Sequence, residues 1–210
     1  MPTNQKIITV LITAFILVSG AIVVSAEEDA STLSSLGEAC RKEGDYKKAL
    51  KYLDKAISID PKYPMAYMYK GKVYFSMQKF EEVGEEFDLF RENMRPLAAN
   101  DDIKQFYIES LHDICAIYFE LKKYERARAI LDEILKLSPK DQVAIYNSGI
   151  YYYVYERNRS SAYNLFSKAI EIDPTTHTAA KAKYAIEFMR ANSDPRMEPD
   201  FSFIDQEYRD

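Results

Sequence analysis

One short pattern recurs along this 210-residue chain and limits what it can become. It appears as Ala56-Ile-Ser-Ile-Asp-Pro61, as Ile134-Leu-Lys-Leu-Ser-Pro139 and as Ala169-Ile-Glu-Ile-Asp-Pro174. Each copy closes an amphipathic stretch and ends in Pro. Proline stops a helix because it lacks an N–H and disfavours helical geometry in the residue before it. The stops are 78 and 35 residues apart. The first spacing is two units of about 34 with roughly ten residues to spare, so the chain reads as a repeat array.

The residues ahead of each stop have helical spacing. Leu33, Leu36, Gly37 and Cys40 form one face of a first helix, and Gly44-Asp45-Tyr46 makes a turn. Ala49, Leu53 and Ala56 form the face of a second helix. Steps of three, four and seven belong to helices, not strands. Only six Gly and eight Pro are present, too few for a fold with many tight turns.

On these residues the segment from Ala30 to Pro61 resembles a tetratricopeptide repeat, through Leu33, Leu36-Gly37, Gly44-Asp45-Tyr46, Ala49, Ala56 and Asp60-Pro61. A second unit keeps Tyr67, Gly71, Tyr74, Phe80 and Phe87, but has Val83 and Phe90 where small residues are usual and Arg95-Pro96 in place of Asp-Pro. A third shows Leu111, Cys115, Tyr118, Tyr124, Ala127, Leu131 and Pro139; the ten spare residues lengthen its first helix, and Asn100-Asp101-Asp102 starts it. A fourth keeps Ile145, Gly149, Tyr152, Ala162, Phe166 and Asp173-Pro174, with one extra residue between Glu156 and Arg159. The units run about 30–63, 64–97, 98–141 and 142–176. A capping helix follows at 176–191, with Ala179, Ala182, Ile186 and Met189 on its inner face. The resemblance implies an all-α, right-handed superhelical solenoid of about four such units plus the cap.

Residues 7–26 carry no charge; Lys6 precedes them, and Glu27, Glu28 and Asp29 follow. This reads as a signal peptide, with small residues Val24-Ser25-Ala26 for cleavage, or as an N-terminal membrane anchor. Both place the repeats outside the cytoplasm, secreted or tethered by that segment. The net charge is −5. Such a surface offers no footprint for nucleic acid. Six acids and two arginines fall between Asn192 and the end, so 192–210 reads as a flexible acidic tail.

Nothing points to catalysis. His112 and His177 are the only histidines, and no metal-binding spacing, phosphate-cradling glycine loop or nucleophile elbow occurs. No enzyme activity, cofactor, metal or small-molecule substrate is implied. Cys40 and Cys115 lie within helical patterns and read as buried apolar groups. Asn158-Arg159-Ser160 matches the glycosylation acceptor pattern.

The resemblance implies a concave groove lined by first helices, receiving a protein or peptide partner. Its residues would be Ser34, Glu38 and Arg41, then Met68, Lys72 and Phe75, then His112, Ala116 and Phe119, then Tyr146, Ile150 and Tyr153. Met68, Lys72, Phe75, His112, Phe119, Tyr146, Ile150 and Tyr153 form the candidate binding set. Within Tyr151-Tyr152-Tyr153, Tyr152 is expected in the core and Tyr153 in the groove. The pattern departs from the family's carboxylate clamp for acidic chaperone tails: Ser34 and Glu38 stand where its first-unit Lys and Asn would be, Tyr69 where a second Asn would be, and His112 and Ala116 on the third unit's groove face. Two functions follow. One is an extracytoplasmic adaptor or scaffold that holds a polypeptide in the groove. The other is a membrane-tethered structural or assembly subunit working through its convex face or by self-association.

Overall fold

The structure, a computed structural model, describes residues 29–192. The expectations for 1–26 and for the tail fall outside the described residues. Nine α-helices and one 3-10 helix occur among the described residues, with no strand. The chain divides into two compact units, Met1–Phe90 and Arg91–Asp210.

In the first unit, α1 (Ala30–Lys42) pairs with α2 (Tyr46–Ile59), and α3 (Pro64–Ser76) packs on both. The helix α4 (Phe80–Met94) begins here and ends in the second unit. Asp29 and Asp45 cap α1 and α2 by accepting from Thr32 N–H at 2.6 Å and Lys48 N–H at 3.0 Å. Pro64 opens α3, where a missing N–H costs nothing. Asp60 ends α2 in extended geometry, as the Asp-Pro stop requires.

The small residues act as the repeat pattern predicts. A Cβ on Gly37 would lie 2.7 Å from Leu53, and one on Gly71 would lie 2.4 Å from the Phe87 ring. Gly71 therefore takes up the bulk of Phe87 within the second repeat. Leu36 is a correction. It is 39% exposed, not part of the buried face that holds Leu33, Gly37 and Cys40. It stands one step to the side of that row, and no described helix precedes α1 to cover it.

In the second unit a 3-10 helix (Arg95–Ala99) leads into α5 (Asp101–Glu120), which has 20 residues against 13 in α1 and α3. The spare residues thus go into a short 3-10 turn and about two extra turns of helix. Asn100 caps α5, accepting from Asp102 N–H at 2.9 Å and Ile103 N–H at 3.2 Å. Then come α6 (Tyr124–Leu137), α7 (Gln142–Val154) and α8 (Arg159–Ile172). The last is α9 (His177–Ala191), which packs on α8 and touches α7. Ser138 and Asp173 end their helices outside helical geometry before Pro139 and Pro174. Gly149 faces Phe166 as Gly71 faces Phe87, at 2.6 Å for a notional Cβ.

The turns inside the four helix pairs share one demand. Gly44, Gln78, Lys122 and Arg157 all adopt left-handed backbone, with φ of 83°, 59°, 54° and 55°. Only the first is a glycine, for which that region is free of Cβ strain.

Candidate interaction surface

The first helices of each unit carry the predicted contact residues, and burial divides them. In the first unit Met68 is 2% exposed and belongs to the core. It was predicted to line the groove. The reason is that α3 is covered on more than one side: Pro64, Ala66, Tyr67, Met68, Gly71 and Val73 are all buried around its circumference. Ser34 is buried as well, at 1%.

What remains half-exposed is Lys72, Phe75, Tyr69, Glu38 and Arg41. Arg41 grips Glu38 with two bonds, Nε to Oε2 at 2.7 Å and Nη2 to Oε1 at 2.8 Å, and its Nη1 reaches Ser76 Oγ at 3.4 Å. A planar guanidinium held this way is a fixed donor array. Phe75 stands 6.5 Å from Phe80, ring to ring.

In the second unit Tyr146 and Tyr153 are 7% and 1% exposed, so both correct the predicted groove. They share a core with Phe166, Ala182, Ala185, Ile186 and Met189. The capping helix and α8 therefore bury what an isolated α7 would display. Within the tyrosine run the expected roles exchange. Tyr153 is core, whereas Tyr152 is only partly buried, with its ring 5.0 Å from the Arg128 guanidinium. The repeat pattern marks Tyr152 as core but carries no information on where the cap sits.

His112, Phe119 and Ile150 stay half-exposed, and Ala116 is exposed. The His112 ring nitrogen Nε2 lies 3.1 Å from Asp141 Oδ2. The other Asp141 oxygen caps α7, accepting from Ala144 N–H at 2.8 Å. Burial alone would raise the Asp141 pKa, but His112 and the cap bonds together hold it below the ordinary value. His112 is thus braced against the start of the next repeat. Phe119 packs edge-on to Tyr124 at 6.1 Å, and Tyr124 continues to Tyr155 at 5.3 Å. Tyr155 in turn reaches Tyr151 at 5.4 Å.

Two polar networks escaped sequence reasoning. In the first unit Lys70 Nζ lies 3.0 Å from Asp54 and 3.1 Å from Glu86. In the second, Glu133 accepts from Arg91, Arg95 and Tyr107. Spacing gives no signal for either, because the partners lie on different helices.

No group of acids, His and Cys able to hold a metal occurs among the described residues. Cys40 and Cys115 are free and buried, and burial pushes the Cys115 thiol up to about 12, leaving it unreactive. The chemistry on offer is that of recognition: a bidentate Arg–Glu pair, a lysine, a braced histidine and rings on rigid helices.

Comparison with known proteins agrees. Residues 37–78 match the TPR repeat and residues 108–141 the tetratricopeptide repeat. Protein CTR9 homolog of Arabidopsis thaliana is 30% identical over 108 residues, which is 51% of this chain and only 9% of that protein. A tetratricopeptide repeat protein from Parabacteroides merdae is 22% identical with a TM-score of 0.61, covering 85% of this chain and 66% of that one. MamA from Desulfovibrio magneticus is 18% identical with a TM-score of 0.56, covering 80% and 86%. At these identities the structures share the fold. The chain therefore carries tetratricopeptide repeats, helical modules through which proteins contact other proteins.

Proposed function

We propose that the chain is an extracytoplasmic adaptor that binds a polypeptide through the open faces of first helices within its units. The observation that carries this recurs in each unit: Lys72 and Phe75 in the first, and His112, Phe119 and Ile150 in the second. Each is partly exposed on a first helix whose other side is locked into a core. Apolar and aromatic side chains held this way lose little entropy on binding and suit hot spots. The compartment rests on the sequence: an uncharged run at 7–26 with Lys6 before it and Glu27, Glu28 and Asp29 after it. Among the described residues no helix is long and apolar enough to cross a membrane.

One observation favours the second reading, a tethered assembly subunit working through its outer helices. Asp45, Lys47, Lys48, Leu50, Lys51 and Asp54 on and beside α2 line an open concavity of 660 Å³. The two readings separate in one experiment. The full chain and two variants, Phe75→Ser with Phe119→Ser and Lys47→Glu with Lys51→Glu, are used to capture partners from the non-cytoplasmic fraction. Loss of a captured polypeptide in the first variant alone, at unchanged helicity, supports the adaptor. Loss in the second alone places binding on α2 and refutes it. Protease added outside the plasma membrane tests the compartment: repeats that stay intact until lysis refute export.

A further inference from the structure

The capping helix α9 is, by register, the start of another repeat. Its first residue His177 stands three positions after Pro174, as Pro64 stands after Pro61 and Gln142 after Pro139. The first helices α1, α5 and α7 each make their most extensive contact with the helix that follows them in sequence. For α9 no such helix follows among the described residues. One side of it is closed: Ala179, Ala182, Ala185, Ile186 and Met189 are buried in the core of the second unit. The other side carries Ala180, Tyr184 and Phe188 at four-residue intervals, none fully buried, with the last two rings 6.3 Å apart. Lys181, Lys183 and Arg190 flank that row, against the single acid Glu187.

We propose that this face of α9 is the seat of the chain's own C-terminal segment, residues 193–210. Three observations choose this occupant. The segment begins where α9 ends, so it is tethered at high effective concentration. It carries Phe201, Phe203, Ile204 and Tyr208 for the apolar row, and six acids against two arginines for the basic flank. It is also long enough. Nine residue steps lead from Asn192 to Phe201, and at about 3.3 Å each they reach back the ~22 Å length of α9. The segment does for α9 what α8 does for α7: it covers the ridge that faces a second helix in every other repeat.

Hydrogen exchange on the full chain tests this. The variant Phe201→Ser, Phe203→Ser, Ile204→Ser, Tyr208→Ser should lower protection of the amides of 177–191 by about tenfold or more, as lost apolar cover requires, while α7 exchanges as before. Both proteins are measured at two concentrations well apart. Unchanged exchange in α9 overturns the proposal. So does protection that rises with concentration in the unaltered chain, because a second copy would then be the cover. A second, independent variant, Phe188→Glu, should leave Arg196 and Arg209 of the tail as open to limited tryptic cleavage as in the four-site variant. Slow cleavage there in Phe188→Glu, equal to the unaltered chain, also overturns it.

Discussion

The two compact units solve the same problem, a charged group caught between helices, in opposite ways. In the first unit a cation sits between two acids, Lys70 between Asp54 and Glu86. One Glu86 oxygen, Oε2, is buried without a hydrogen-bond partner. Burial accordingly pushes the Glu86 pKa above the usual range, and Lys70 only partly offsets it. In the second unit an acid sits among donors. Glu133 takes Arg91 at 2.6 Å, Arg95 at 2.9 Å and the Tyr107 hydroxyl at 2.7 Å. Burial would raise its pKa, but these donors hold it down at about 2. Equal burial therefore does not mean equal worth. A buried charge stabilises when its lone pairs are filled and costs free energy when one is left over.

The sharpest way to break this comparison is to neutralise each acid in turn. Glu133→Gln removes a charge that three groups depend on, and should cost about 3 kcal/mol in urea unfolding. Glu86→Gln removes a charge that is already poorly satisfied, and should cost less than about 1 kcal/mol. Equal losses would show that satisfaction of the carboxylate is not what separates the units.

Acid should act on the units with opposite sign. The Glu133 pKa is depressed when folded, so its contribution is present above the unfolded value of 4.5 and is lost as pH falls from there toward about 2. That loss amounts to ~3 kcal/mol by linkage. The Glu86 pKa is raised when folded, so protonating it as pH falls through that raised value favours the fold, and the gain is complete below 4.5. Exchange protection measured helix by helix between pH 6 and 3 should fall first in α5 and α6. Earlier loss in α2 and α3 would reverse the assignment.

Packing, by contrast, should not distinguish the units. Gly71→Ala and Gly149→Ala both drive a Cβ into a phenylalanine ring, and each should cost about 1–3 kcal/mol even after the better helix propensity of alanine. A large difference between the two would mean that one ring can move aside.

The smallest effects lie in the turns. Gln78→Gly and Lys122→Gly relieve left-handed strain and should each stabilise by roughly 0.5–1 kcal/mol, one in each unit. Gly44→Ala should lose a similar amount, although no atom lies within 4 Å of the new Cβ. If it costs nothing, backbone strain is not the reason for that glycine.

The sequence alone determined the repeats, because their signals are local. Asp-Pro and Ser-Pro stops, Asp and Asn caps, and small residues at Gly37, Gly71, Gly149, Ala49 and Ala162 each act within one helix pair, and pair geometry recurs with the period of the chain. Even the lengthened α5 was legible, since ten surplus residues had to go somewhere and Asn100 marks where a helix can start. Tertiary structure decided which residues are open. Tyr146 and Tyr153 occupy positions equivalent to His112 and Phe119, yet they are buried in a core shared with α8 and α9, whereas His112 and Phe119 stay half-exposed. The same holds for Lys70 and Glu133, whose partners come from other helices at spacings that no periodic pattern encodes. Periodicity tells which side of a helix is apolar. What covers that side, and how many charges meet beneath the cover, depends on neighbours that the local sequence does not name.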